Sequence, residues 1–171
     1  MKKILAVALL STFVAAPTIA LGEAYVGASV GSAAYTYSDT PDSVSSFGVI
    51  GGYGFSDTLA AEVAYKSFGE SKITGLTNKV SASAINLSLV GTMPLGDAYA
   101  LFGKIGFASV TTKASGLPND KTAGNLSYGV GAQYNINKQI GIRAGYDIYK
   151  TEYGTGSANI TDLSIGAIFK F

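Results

Sequence analysis

The sequence predicts an all-β fold, an eight-stranded antiparallel up-and-down transmembrane β-barrel. Three observations carry this. Apolar residues alternate with small or polar ones in stretches of about ten residues, the period-two signature of strands with two unlike faces. The stretches are separated alternately by long polar segments and by very short ones, as in membrane barrels with long loops on one side and tight turns on the other. Tyr and Phe gather near the ends of the stretches, where aromatic rings favour the membrane–water interface.

The last stretch shows the pattern most plainly. Leu163, Ile165, Ala167, Phe169 and Phe171 alternate with Ser164, Gly166, Ile168 and Lys170. A soluble protein gains little by ending on an exposed phenylalanine, whereas a barrel with a greasy outer wall seats that ring at the interface.

The chain opens on Met1, Lys2 and Lys3, followed by an apolar run from Ile4 that continues past Ser11 and Thr12 to Ala16. This is the basic start and short apolar core of a secretory signal. Pro17 ends the run, and Thr18 and Ala20 supply the small residues that a signal peptidase requires. The expected division is a signal peptide at 1–20 and a barrel at 21–171, with cleavage after Ala24 as the alternative site. Export together with a greasy β-rich mature chain fits the outer membrane of a Gram-negative cell.

The first strand is expected over 24–37, with Val26, Ala28 and Val30 greasy and Tyr25, Gly27, Ser29 and Gly31 opposite. A polar loop at 38–45 leads to the second strand, 46–55, whose greasy face carries Phe47, Val49, Gly51, Tyr53 and Phe55. Ser56–Asp57 is a tight turn into the third strand, 58–68, with Leu59, Ala61, Val63 and Tyr65 greasy. A polar loop at 69–79 precedes the fourth strand, 80–93, where Ile85, Leu87, Leu89, Gly91 and Met93 share a face. Residues 94–97 turn into the fifth strand, 98–111, with Tyr99, Leu101, Ile105 and Phe107 greasy. After a loop at 113–122 comes the sixth strand, 124–136, with Leu126, Tyr128, Val130, Ala132, Tyr134 and Ile136 on one side. Residues 137–139 turn into the seventh, 140–149, with Ile140, Ile142, Ala144, Tyr146 and Ile148 greasy. A loop at 150–158 leads to the last strand, 163–171.

The competing architecture is a soluble eight-stranded barrel with its greasy face turned inward. Its exterior would then be the Gly- and Ser-rich face. Charged residues make up only 13% of the chain, too few for a soluble exterior. No apolar run is long enough for a mature transmembrane helix, so the crossing falls to strands. The net charge of +1 gives no electrostatic case for nucleic acid.

By parity, Glu62, Lys104, Arg143 and Asp147 project into the lumen, and their charges cancel. An eight-stranded barrel is just wide enough to be filled by side chains. Charges inside it should be paired, because an isolated one is costly. Phe102 and Ile50 also point inward by parity and obstruct a channel.

The chain resembles the small eight-stranded outer-membrane barrels: the OmpA-like transmembrane domain and its relatives, among them the neisserial surface barrel NspA and the opacity proteins. The residues that carry the resemblance are Tyr25–Gly31, Ala61–Tyr65, Gly141–Tyr146 and the closing Gly166–Phe171, in that order and spacing. It covers essentially all of the mature chain. Full-length OmpA proteins continue into a periplasmic peptidoglycan-binding domain; this sequence stops at Phe171, so a wall-anchoring role is not carried over. In OmpA-like barrels an internal Glu–Arg/Lys set resembles a gate that switches partners to let ions pass, and Glu62, Lys104 and Arg143 match that set. Asp147 joins it by parity alone. The plainer reading is a static polar plug that fixes register and fills the lumen.

The last strand also looks like the signal read by the outer-membrane assembly machinery, with Ser164, Gly166, Phe169 and Phe171 in the pattern positions. Alternation and an aromatic girdle would place the same residues there, and the two readings are compatible. Barrel enzymes of this membrane resemble one another in using His with Ser, Asp or Glu. This chain has no His and no Cys, which removes that general base, disulfides and a thiolate or imidazole metal site. Gly51–Gly54 alternates inside a strand and is no phosphate loop. No cofactor, metal or catalytic residue is therefore expected. The expected partners are outer-membrane lipid and lipopolysaccharide, with periplasmic chaperones and the assembly machinery during biogenesis, and the expected state is a monomer. The expected role is a structural membrane protein with a polar, largely plugged lumen and at most weak pore activity. The alternative is a surface adhesin acting through its extracellular loops, since loops on a rigid scaffold commonly carry binding.

Overall fold

The structure, a computed structural model, describes residues 22–35, 42–72, 79–114, 121–153 and 156–171. The segment 1–20 with the cleavage site after Ala20, and the loop tips, lie outside them; the alternative site after Ala24 falls within them. Eight strands follow in order: β1 (Glu23–Tyr35), β2 (Asp42–Gly54), β3 (Leu59–Lys72), β4 (Lys79–Pro94), β5 (Tyr99–Ala114), β6 (Lys121–Asn135), β7 (Ile140–Tyr153) and β8 (Gly156–Lys170). Each is antiparallel to its neighbours, and β1 pairs with β8 from Tyr25↔Lys170 to Tyr35↔Ile160, closing the barrel. Closure leaves the sheet without an edge strand. The backbone N–H of Phe171 donates to the Ala24 carbonyl at 3.0 Å, fastening the carboxy-terminus into the same seam.

The short connections are built by local hydrogen bonds. The Asn137 side-chain oxygen accepts from the N–H groups of Gln139 and Ile140 at 2.9 and 2.7 Å, which is the turn-forming habit of Asn. Ser56 does the same more loosely for Thr58 and Leu59 at 3.3 and 3.2 Å.

The greasy faces point outward as the alternation predicts. Leu87, Leu89, Ile105, Val130 and Ile165 are all exposed, and Phe107 reaches 72%. A continuous apolar belt of this kind has no place in water. On β5 it runs from Tyr99 to Phe107, a length suited to a tilted strand crossing the hydrocarbon. Aromatic side chains bracket it. Tyr53–Phe55, Tyr99–Tyr134 and Phe169–Phe171 stack pairwise at 5.0–5.5 Å on the turn side.

Six strands are longer on the loop side than the hydrophobic pattern indicates. β2 begins at Asp42 rather than Ser46, β6 at Lys121 rather than Gly124, and β8 at Gly156 rather than Leu163. β3 runs past Phe68, β5 past Thr111 and β7 past Tyr149. The reason is an inversion of polarity along most of the strands. Within the belt, apolar residues face out and polar ones face in. Above it the phase exchanges: Ser32, Ser45, Ser83, Ser109 and Thr122 face out, while Ala33, Phe68, Ala84, Val110, Tyr149 and Ile160 are buried inside. Pairing continues through this change between β1 and β2, β4 and β5, β5 and β6, and β7 and β8, for example in Ser83↔Thr111 and Thr111↔Thr122, whereas β2–β3 pairing stops at Ser46↔Phe68, β6–β7 pairing stops at Ser127↔Tyr149, and β3–β4 shifts register between Phe68 and Ser71. The barrel therefore projects beyond the apolar belt as a collar with the polarity of a soluble protein. Its Ser- and Thr-rich outer face reads as loop in the sequence.

Two apolar clusters result. The loop-side one contains Ala33, Tyr35, Phe68, Ala82, Ala84, Ala108, Val110, Tyr149 and Ile160, with Val44 packed against it. The turn-side one contains Tyr25, Ala60, Val90 and Phe102, with Ile50 packed against it. The polar interior lies between them.

Candidate functional site

Every charge assigned to the lumen by parity is found there. Glu62 on β3 receives hydrogen bonds from Arg143 Nη1 and, at 2.7 Å, from the Tyr25 hydroxyl. Arg143 on β7 also donates from Nε to Gln133 at 3.2 Å, and its guanidinium lies over the Phe102 ring at 4.6 Å. One carboxylate is thus held by a cation and a phenol, and the cation in turn by an amide and an aromatic face. This is the satisfaction that a charge removed from water requires.

Lys104 on β5 and Asp147 on β7 form the next layer toward the loops, with Nζ–O distances of 2.9 and 3.0 Å. These two residues are separated by β6, where Gly129 is in register with both. A Cβ on Gly129 would stand 2.1 Å from Asp147 Oδ1 and 3.0 Å from Lys104 Cε. The missing side chain is the space through which the pair meets.

Two charges absent from the parity reading complete the network. Lys66 on β3 is paired with Asp162 on β8, and both are buried. Lys66 Nζ also donates to Ser164 Oγ at 3.0 Å and lies 3.4 Å from Asp147; Asp162 accepts from the Ser46 hydroxyl as well. Lys66 is legible in the sequence: it stands four residues beyond Glu62, with the same parity. Asp162 is not, because the apolar alternation of the last strand starts one residue after it, at Leu163. The six charges still cancel, and Lys104, Asp147, Lys66 and Asp162 alternate in sign as a chain of contacts.

A cavity of about 40 Å³ opens among Glu62, Lys66, Lys104, Arg143, Asp147 and Ser164. At about 10–15 Å³ per water it holds roughly three molecules. A gate of the OmpA type needs Lys104 free to take Glu62 from Arg143. In this structure Lys104 is engaged by Asp147.

Of the assembly-signal positions, Ser164 faces inward and contacts Lys66, while Phe169 and Phe171 face outward as an edge-to-face pair. Gly166 sits against β1: a Cβ there would meet the Ala28 carbonyl at 2.3 Å. Packing at the closing seam therefore accounts for this glycine independently of any recognition.

The closed eight-strand topology, the outward apolar belt and the ion-paired lumen together indicate a membrane barrel, and the sequence comparison decides the family. Residues 4–171 match the family model for the outer membrane protein beta-barrel domain. The chain belongs to that family. Comparison with curated proteins finds no match. Among solved structures, this outer-membrane barrel is similar to neisserial surface protein A (NspA), with a TM-score of 0.72 and 18% identity over 86% of this chain and 97% of that one. It is similar to Ail, the attachment invasion locus protein of Yersinia pestis, solved in complex with the heparin analogue sucrose octasulfate; the TM-score is 0.67 and identity 16%, over 88% of this chain and 99% of that one. It is also similar to the N-terminal β-barrel domain of Pseudomonas aeruginosa OprF, with a TM-score of 0.61 and 14% identity over 88% and 99% of the two chains. At these identities the likeness shows the fold.

Proposed function

We propose that this barrel is a structural outer-membrane protein whose lumen is closed to steady ion flow and gives at most weak pore activity. The observation that carries this reading is the completeness of internal pairing: among the described residues, all six lumen charges contact an opposite charge around space for only a few waters. A pore needs charges that line water rather than one another. No group in the network suggests a catalytic centre, and the chain lacks the His on which a general base would rest. Purified protein in planar bilayers is expected to show only small, infrequent conductance steps; large steady currents would sink the reading.

Biogenesis follows from the same reading. The segment 1–20 directs export, and cleavage after Ala20 keeps the whole of β1, including Glu23 and Ala24, which pair with Gly54 and Tyr53. Periplasmic chaperones and the assembly machinery then act on the unfolded chain. The finished barrel is a monomer surrounded by lipid and lipopolysaccharide. Removal of Phe171 is expected to lower the amount of barrel reaching the outer membrane more than it lowers the unfolding resistance of barrels already assembled. Comparing membrane levels with gel-shift stability of the purified variant separates the two, and unchanged membrane levels would contradict an assembly role. Surface interaction through the loops is the second reading, supported by the fold shared with the Yersinia attachment protein.

A further inference from the structure

The polarity inversion places an apolar layer across the lumen above the six paired charges. Counting along each strand toward the loops, Phe68 follows Glu62 and Lys66, Val110 follows Lys104, Tyr149 follows Arg143 and Asp147, and Ile160 lies beyond Asp162. With Ala33 and Tyr35 on β1, Val44 on β2 and Ala82 and Ala84 on β4, the layer draws on seven of the eight strands. Phe68 and Tyr149 meet edge to face at 5.5 Å across its middle. The turn-side closure has a different character. There the Arg143 guanidinium rests on Phe102, so the obstruction includes a long charged side chain. Exposure of the lumen cations falls in the same direction. It is 14% for the Arg143 side chain and 12% for Lys104, against 5% for Lys66 nearest the apolar layer, while the three carboxylates are all nearly fully buried.

From this we infer that the loop-side apolar layer is the fixed seal of the barrel, and that the charged network beneath it is a blind vestibule reached by water and small ions only from the turn side. The inference rests on the closed-lumen reading above and names where closure resides. An apolar constriction excludes ions by shedding water, without any ion pair having to hold it shut. Its side chains are short or ringed and stand on strands locked in the hydrogen-bond ladder, so a change of partner among Glu62, Lys104 and Arg143 leaves it in place. An ion-pair switch on the turn side would then admit ions to the vestibule without passing them through the barrel.

The absence of cysteine makes the test direct. Gly145 lines the cavity, and a Cβ there meets nothing nearer than 3.6 Å, so Gly145→Cys fits the lumen. Ser45→Cys on the exposed collar serves as the loop-side control. The probe is the silver ion, a small thiol-reactive cation, applied outside sealed lipid vesicles that hold only the purified barrel with its loops facing out, and to the same vesicles opened by freeze–thaw so that both sides are reached; thiols left unreacted are counted after unfolding. The expected result is reaction of Ser45→Cys in both preparations and of Gly145→Cys only in the opened vesicles. Combining Gly145→Cys with Glu62→Ala and Arg143→Ala should leave it protected in sealed vesicles. Combining it with Phe68→Ala and Tyr149→Ala should abolish that protection. Reaction of Gly145→Cys alone in sealed vesicles, or its release by removal of the Glu62–Arg143 pair, would overturn the inference. Persistent protection in an assembled Phe68→Ala, Tyr149→Ala barrel would do the same. If that variant does not assemble, the charge-removal variant still decides. Failure of the closed-lumen reading looks different, because it appears as steady current through the unmodified barrel.

Discussion

Asp162→Ala is expected to destabilise the folded barrel by about 3–5 kcal/mol, the cost of leaving a buried charge without its partner. The charge in question is Lys66. Its ammonium is buried, and of its neighbours Asp162 is the carboxylate it contacts directly. Asp147 lies further off at 3.4 Å and already serves Lys104. The Ser46 hydroxyl, which donates to Asp162, loses its acceptor in the same step. A double change to Lys66→Met with Asp162→Leu should recover most of the loss, since replacing a buried pair by apolar groups of similar size is often neutral or stabilising. The remaining Lys104–Asp147 and Arg143–Glu62 pairs keep the lumen neutral. Denaturant titration of the refolded variants, followed by gel mobility of unheated samples, gives the comparison. A single variant as stable as the double one would show that Lys66 finds equivalent support elsewhere.

How much of this was readable in the sequence depends on which side of the wall a residue faces. The belt was plain, because each outward position from Leu59 to Tyr65 or from Met93 to Ile85 answers to the same solvent, the hydrocarbon, and period two follows directly. Glu62 and Arg143 were plain for the converse reason: a charge between two greasy neighbours on a strand can only face inward. The collar was hidden because the pattern there does not disappear but changes phase. Ser81–Ala82–Ser83–Ala84 still alternates, yet its apolar members are small and face the lumen. Small residues inside and hydroxyls outside resemble a polar loop, and on six strands the pattern stops three to seven residues short of the loop-side end, most of all at Gly156 against Leu163. Asp162 is lost with that end. The role of Gly129 is legible only once β5 and β7 are known to flank β6 in a register that aims Lys104 and Asp147 at one point.

Leu89→Arg is the change that tests where the membrane ends. Leu89 stands at the middle of the outward row that runs from Met93 to Ile85, with Ala61 and Ile105 beside it in register. An arginine there must hold its guanidinium in hydrocarbon or bend it toward an interface, and the expected loss is about 2–4 kcal/mol for a lipid-facing position at mid-depth. Ser109→Arg makes the same chemical change on the neighbouring strand, two positions beyond Phe107 and on the same outward face. If the collar stands clear of the hydrocarbon, this second arginine should cost about 0–1 kcal/mol. The contrast matters more than either value, because both residues are exposed and both substitutions add one charge and one long side chain. In a barrel surrounded by water the two would cost nearly the same. Folding equilibria measured in lipid vesicles give the difference, and equal costs at the two positions would move the boundary off the level at which the strand polarity inverts.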